Sequence, residues 1–331
     1  MRFGFAVKVV GRPALKSHDA RRWQSDPHLS VSIGYLHAIL DYLDEIDVRM
    51  YRIASNVVPY ATHPDLPAFA RQLDECADGL ARLGEHARRL DVRLSTHPSQ
   101  YIVLNAVDPA IVDSAIRELD HQARLLDLLG TGPEAVVVIH GGGGYGDRSA
   151  ALDRWVRGFE RLSPAARARL VLENDERVFD LADVLALSER TGVPVVLDLL
   201  HHRILDRQGI GVREGLERAF ATWSEGVLPK IHYSSARVEA RDVVRRVRAT
   251  GERRIASVDP LPAQHSDFVD APGFADFLAA ADGLDFDVML EAKQKDLALL
   301  RLRDELRARG LEPETGPGRL RGGRTTDRPG P

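Results

Sequence analysis

The chain has 331 residues, 44% of them hydrophobic, enough for a sizeable core in one α/β barrel or in two ordinary domains. Its net charge of −4 advertises no general affinity for nucleic acid, and no apolar run approaches the roughly 18 residues of a membrane-spanning helix. The opening MRFGFAVKVVGRP lacks the apolar core of a signal peptide, and Cys76 is the only cysteine, so a disulfide scaffold is excluded and a cytoplasmic location is expected.

In chain order, strand-like runs rich in β-branched residues alternate with amphipathic stretches. The runs are RFGFAVKVV (2–10), VRMYRIA (48–54), VRLSTH (92–97), AVVVIH (135–140), RLVLEN (169–174), PVVLDL (194–199), PKIHYS (229–234) and FDVMLEA (286–292). Helical patterns occupy 66–90, 110–129, 180–191 and 272–282, and 293–309 closes the series. Eight such units with strands apolar on both faces predict a single TIM (β/α)8 barrel over residues 1–310 rather than an open sheet.

One connection breaks the rhythm. Nearly forty residues follow the seventh strand, and within them Arg237, Arg241, Arg245 and Arg248 recur at helical spacing. This predicts an extra helix at the strands' C-terminal face, its basic stripe either a phosphate contact or a solvated face balanced by Glu239, Asp242 and Glu252. The tail at 311–331, half Gly and Pro from 316 onward, is expected to be disordered.

The strand ends collect the chemistry. The third run finishes in His97, the fourth in His140, the fifth carries Glu173, and the sixth Asp198 with His201 three residues on. The seventh carries Lys230 and His232, and the eighth Glu291; His63 and His265 lie in the loops after the second and seventh. A lone histidine at a strand end is usually a satisfied rim residue. Six of them beside three carboxylates, all bound for one barrel mouth, predict a cluster of two or three divalent ions. Imidazole and carboxylate without thiolate suit Mn, Fe or Zn. Paired ions activate a water and neutralise a phosphoryl centre, which points to phosphodiester hydrolysis. His18, His28, His37, His86, His121 and His202 take the structural reading, and Asp175 is either a support for the site or a turn residue.

IHGGGGYGDR places Gly141, Gly143 and Gly146 in the spacing of a dinucleotide fingerprint. That fingerprint belongs to the first unit of an open sheet, whereas here it follows a fourth strand. A rim loop is the better reading, with Tyr145 and Arg148 as possible phosphate contacts.

Taken together, MYRIASNVVPYATHP, STHPSQYIVLN, VIHGGGGYGD, LENDER, VVLDLLHH, KIHYSS, HSDF and LEAKQK resemble the UV damage endonuclease family, in order and from about residue 48 to 300. The resemblance implies a TIM-barrel enzyme related to AP endonucleases of the endonuclease IV type. Such an enzyme acts on damaged double-stranded DNA, nicking just 5′ to cyclobutane pyrimidine dimers or (6-4) photoproducts and leaving a 3′-hydroxyl; this chain is expected to be a monomer. It implies manganese first, with zinc or magnesium as alternatives, held by His63, His97, His140, Glu173, Asp198, His201, His232, His265 and Glu291. Lys230 matches a lysine that can be carboxylated in the family and then bridge metals, the alternative being an ordinary lysine paired with a phosphate or carboxylate, and Glu173, Lys230 and Glu291 form the expected catalytic set. Gln100 and Tyr101 match the family's damage-probing pair, the ring to stack and the amide to bond orphaned bases. The first strand departs from the pattern, with Phe5 where the family usually presents a tyrosine lining the damage pocket, and Lys8 nearby as a DNA contact. The Arg-rich insertion at 236–254 lies outside the resembling segments. Competing readings are a sugar isomerase or epimerase of the xylose-isomerase-like type, an AP endonuclease, and a damage-binding module without catalysis.

Overall fold

The structure, a computed structural model, describes residues 1–246 and 250–311; Arg248 and residues 312–331 of the expected tail lie outside the described residues. In chain order the strands are β1 (Phe3–Ala6), β2 (Met50–Ile53), β3 (Arg93–Thr96), β4 (Val137–His140), β5 (Leu170–Glu173), β6 (Val195–Val196), β7 (Lys230–Tyr233), β8 (Arg241–Arg246), β9 (Arg253–Val258) and β10 (Asp287–Leu290). All but β8 and β9 pair in parallel in the order β6-β5-β4-β3-β2-β1-β10-β7. A parallel bridge between Asp198 and His232 joins the two ends, so the expected TIM barrel is present.

Alternation along each strand divides the residues into two populations. Phe3, Phe5, Tyr51, Ile53, Leu94, Ile139 and Leu172 point outward into the main apolar layer beneath the helices. Ala6, Met50 and Met289, and separately Val136, Val138, Val171 and Val196 with Trp223, fill the barrel interior. Helix starts are written locally. Asp108, Asp147, Asp180 and Asp270 each cap a helix through a side-chain oxygen, and Asp180 with Asp183 forms a capping box.

Charge closes the floor of the barrel. Arg93 on β3 donates through Nη1 to Asp287 Oδ2 on β10 and to Leu228 O, both at 2.9 Å, while Asp287 Oδ1 accepts from Arg2 N at 2.7 Å. Both side chains of the Arg93–Asp287 pair are buried.

The insertion after β7 corrects the expected helix. β8 and β9 form an antiparallel hairpin, with Arg241 opposite Val258, Val244 opposite Ile255 and Arg246 opposite Arg253. A spacing of four is even, so Arg241 and Arg245 share a strand face as readily as a helix face. Val243, Val244 and Ile255 favour the strand, and Gly251 at φ 70° serves the turn region.

Asp287→Ala leaves Arg93 buried without its carboxylate and should cost about 3–5 kcal/mol in chemical denaturation, whereas the double exchange Arg93→Met with Asp287→Leu should recover most of the loss.

Candidate metal centre

The last inward position of each strand opens on the C-terminal mouth. The register sets Ala6 beside Arg52, Arg52 beside Ser95, His140 beside Glu173, and Asp198 beside His232. His97 and Glu291 follow β3 and β10 directly. Asp198 has two tasks. Its Oδ1 accepts from His201 N at 2.8 Å, capping the short helix Leu199–Ile204, and that turn brings His201 Nδ1 to 3.7 Å from the same oxygen. Asn174 fixes the approach: its side chain accepts from Asp198 N at 2.9 Å and donates to Asp198 O at 3.1 Å, and its carbonyl accepts from His201 Nδ1 at 3.0 Å.

Glu173 has no exposed surface and stands at the centre. Its Oε2 accepts from His97 Nε2 at 2.9 Å and lies 3.7 Å from His140 Nε2. Its Oε1 accepts from His232 Nδ1 at 2.8 Å and lies 3.8 Å from His201 Nδ1. Three overlapping sets result: His97, His232 and Glu291; His97, His140 and Glu173; Glu173, Asp198 and His201. Within each set the candidate ligand atoms lie within 4.8 Å of one another. His97 and Glu173 are shared, so the sets form one connected centre.

Buried groups left unsatisfied test the fit to metal. His140 Nδ1, His232 Nε2 and Asp198 Oδ2 are buried without a hydrogen-bond partner among the described residues. Each such group typically costs about 1–3 kcal/mol. A cation satisfies this donor chemistry, imidazole and carboxylate, so the residues fit a divalent metal cluster.

Electrostatics prepares the same groups. Burial pushes the Glu173 carboxyl up, but His232, His140 and His97 outweigh it and hold it well below the usual carboxylate range. Burial likewise opposes ionisation of Glu291 and is outweighed by Arg52, whose guanidinium it contacts directly, and by His232. Burial raises Asp198 to about 6 against the pull of His201. Burial also opposes a charge on His201, yet Asp198, Glu173 and Glu176 raise it to about 9. His97, His140 and His232 are lowered, chiefly by burial, toward the neutral form that binds metals. Lys230 is fully buried and donates to Ser95 Oγ at 3.1 Å; burial, then Arg93 and Arg52, lower its amine well below the ordinary lysine value.

The remaining candidates separate. His265 borders the centre, donating through Nδ1 to Glu291 O at 2.7 Å with its ring 6.3 Å from His201, but belongs to none of the three sets. His63 is exposed beside Tyr60 and also falls outside them. Gln100 and Tyr101 are exposed, Tyr101 at 76%, and help line a cleft of about 580 Å³ with His140, Gly143, Tyr145 and Glu176. The glycine loop is pinned to this cleft because Asn105 Nδ2 donates to Gly143 O at 2.8 Å, and a Cβ on Gly142 would lie 2.3 Å from Asn105 Oδ1. Arg154 stacks on Tyr145 at 5.3 Å, Arg148 faces Asp183 at 3.3 Å, and Lys8 is exposed. Asp175 is a turn residue, accepting from the backbone N–H groups of Arg177, Val178 and Phe179.

Two expectations are corrected. Phe5 points into the helix layer, fully buried and edge-on to Tyr51 at 5.6 Å, because β1 alternation turns Gly4 and Ala6 inward instead; it lines no open pocket. Arg237 is committed to an ion pair with Asp267, its side chain 9% exposed, and is not part of a free basic stripe.

Sequence reasoning missed Arg52, Asn174 and Glu176. Arg52 had a visible signal, a charge inside the apolar run MYRIA at an inward-alternating position. Asn174 and Glu176 had none, since their roles depend on where Asp198 and His201 arrive.

Adding manganese at about a hundred times its dissociation constant should stabilise the protein by about 2.7 kcal/mol in thermal unfolding. Asn174→Ala should weaken metal affinity on the order of 10–100-fold in calorimetric titration while the protein remains folded, since it frees Asp198 without removing a ligand.

Comparison with known proteins identifies the family. The family profile described as "UV-endonuclease UvdE" matches residues 29–316. The UV DNA damage endonuclease of Bacillus pumilus is 32% identical over 270 residues, covering 79% of this chain and 76% of that protein. The UV-damage endonuclease of Neurospora crassa is 33% identical over 83% of this chain and 40% of its own length. Among solved structures, SacUVDE superposes with a TM-score of 0.77 at 29% identity, covering 94% of this chain and 99% of that one. An L-ribulose 3-epimerase, at TM-score 0.53 and 16% identity over 88% of this chain and 81% of that one, shares the fold alone. With a profile matching most of its length, and with these relatives, the chain belongs to the UV-endonuclease family.

Proposed function

We propose that the protein nicks double-stranded DNA immediately 5′ to UV photoproducts, cyclobutane pyrimidine dimers and (6-4) photoproducts, by multi-metal phosphodiester hydrolysis that leaves a 3′-hydroxyl. The observation that carries this reading is the connected centre of three donor sets at the mouth of the barrel, in a chain of the UV-endonuclease family. Divalent ions, manganese first, would supply there a water acidic enough to attack at neutral pH and charge to stabilise the attacked phosphate. His97, His140, Glu173, Asp198, His201, His232 and Glu291 would hold them, with His63 and His265 added from the loops. Glu173 spans two of the sets and keeps its charge despite burial. Arg52 occupies one oxygen of Glu291 and so orients the other. Burial lowers the Lys230 amine well below the ordinary lysine value, which favours the free amine from which a carboxylated lysine would form.

Recognition is assigned to the loop after His97. Extruding linked pyrimidines costs a few kcal/mol, less for bases that already pair badly. Tyr101 would fill the emptied stack and Gln100 would bond the orphaned bases, recovering part of that cost. The neighbouring cleft of about 580 Å³ falls within the size range of small-ligand pockets, roughly 300–1,000 Å³. Keeping both functions within four residues of His97 holds recognition and cleavage in register.

A duplex with one site-specific cyclobutane dimer should be nicked immediately 5′ to the dimer with manganese and left intact with chelator. Cleavage of an abasic duplex alone would move the protein to the AP endonuclease reading; no nick on any duplex with metal bound would sink the nuclease reading. Tyr101→Ala should lose about 1–3 kcal/mol of binding to the damaged duplex, the usual worth of one aromatic–base stack, with little change on undamaged DNA in a parallel titration.

A further inference from the structure

The β8–β9 hairpin is a built feature that the metal centre does not use. It is rooted at the mouth: Ala236 bridges His265, Arg237 N donates to Gln264 O at 2.7 Å, and Ser266 N donates to Ser235 O at 2.8 Å. The ion pair from Arg237 to Asp267 clamps the same base. His265 in turn donates to the backbone of Glu291. The arm is therefore tied to the edge of the reaction centre, and its six-residue strands extend about 20 Å.

Its composition does not fit an arm made only to be solvated. Arg245 stands opposite Arg254, and Arg246 opposite Arg253, two consecutive cross-strand pairs of like charge. Directly opposed like charges destabilise a hairpin. Glu252 takes up Arg254, but Arg241, Arg245 and Arg253 make no hydrogen bond or ion pair with any described side chain. Between these arginines and the barrel sits an apolar cross-strand pair, Val244 at 65% and Ile255 at 73% exposed. Adjacent arginines that repel one another are stabilised together by a polyanion. A two-stranded ribbon fits the major groove of duplex DNA, where arginines reach the phosphates and branched apolar side chains meet thymine methyl groups.

We propose that the β8–β9 hairpin is a DNA-binding arm that seats in a groove of the undamaged duplex beside the lesion. This inference rests on the proposed nuclease reading for its substrate. The arm grips the backbone whatever the sequence or damage, while the loop at Gln100 and Tyr101 discriminates. Grip and discrimination are thus carried by different segments of one mouth.

The test compares the wild-type protein with a variant carrying Arg245→Gln, Arg246→Gln, Arg253→Gln and Arg254→Gln. Binding to a long dimer-containing duplex, and to the same duplex undamaged, is measured against salt concentration. Each phosphate contact contributes about 0.9 to the slope of log affinity on log salt, so the variant's slope should fall by roughly 2–4 on both duplexes, with affinity weaker on the order of tenfold or more at moderate salt. The four arginine-to-lysine exchanges, which keep the charge, should restore the slope. A lesion duplex trimmed to a few flanking base pairs should be bound equally by wild type and variant, which also reports that the variant is folded. An unchanged slope on long duplexes overturns the proposal. So does a wild-type dimer in sedimentation that the glutamine variant dissolves, because the ribbon would then be pairing two copies of the chain. If the wild type binds duplexes but cuts none carrying a photoproduct, the nuclease reading fails while the salt slopes still judge the arm.

Discussion

Glu173 is the interaction on which the centre depends. A carboxylate with no exposed surface keeps its charge only because imidazoles approach it from four sides: His97 and His232 by hydrogen bond, His140 and His201 within 4 Å. Each imidazole arrives on a different strand or turn. The carboxylate is thus satisfied only when the barrel closes, and barrel closure in turn buries it. Fold and site are mutually conditional, as expected where buried charge tolerates no partial satisfaction.

The barrel handles charge differently at its two ends. At the floor, Arg93 and Asp287 neutralise one another and add bonds to backbone carbonyls and an N–H group, although Arg93 Nη2 and Arg2 Nε keep no partner among the described residues. At the mouth, His140, His232 and Asp198 each retain a buried polar atom without a partner among the described residues. Lys230 is buried against Ser95, its amine lowered well below the ordinary lysine value by burial and by the nearby guanidinium groups of Arg93 and Arg52. What sets the mouth apart is the kind of group left over: imidazole nitrogens and a carboxylate oxygen, the donors a metal ion takes, whereas the floor's leftovers are guanidinium N–H groups.

Much of this was legible in the chain. Eight apolar runs alternating with helical stretches point to a closed parallel barrel: strands apolar on both faces must be covered twice, and eight strand–helix units are the number that closes. Their terminal residues state the donor chemistry without any structure, since every strand end of a parallel barrel faces one mouth. The family resemblance drawn from the same motifs agrees with the profile match and the solved relatives. The Arg-rich insertion was misread because arginines four apart satisfy both helical and strand periodicity; β-branched neighbours and cross-strand pairing decided it.

By itself, then, the sequence determined fold class, donor types and the place of Gln100 and Tyr101 just after His97, all of which follow from local pattern and chain order. Tertiary structure alone decided which donors meet. It set His97, His232 and Glu291 together from three separated strands, left His63 outside the three sets, turned Phe5 into the helix layer, and brought Arg52 onto Glu291. The physical reason is that inward or outward direction follows from register and from the local turn at each strand's end. A one-residue difference in either moves a side chain from the mouth to the core, and no single segment carries that information.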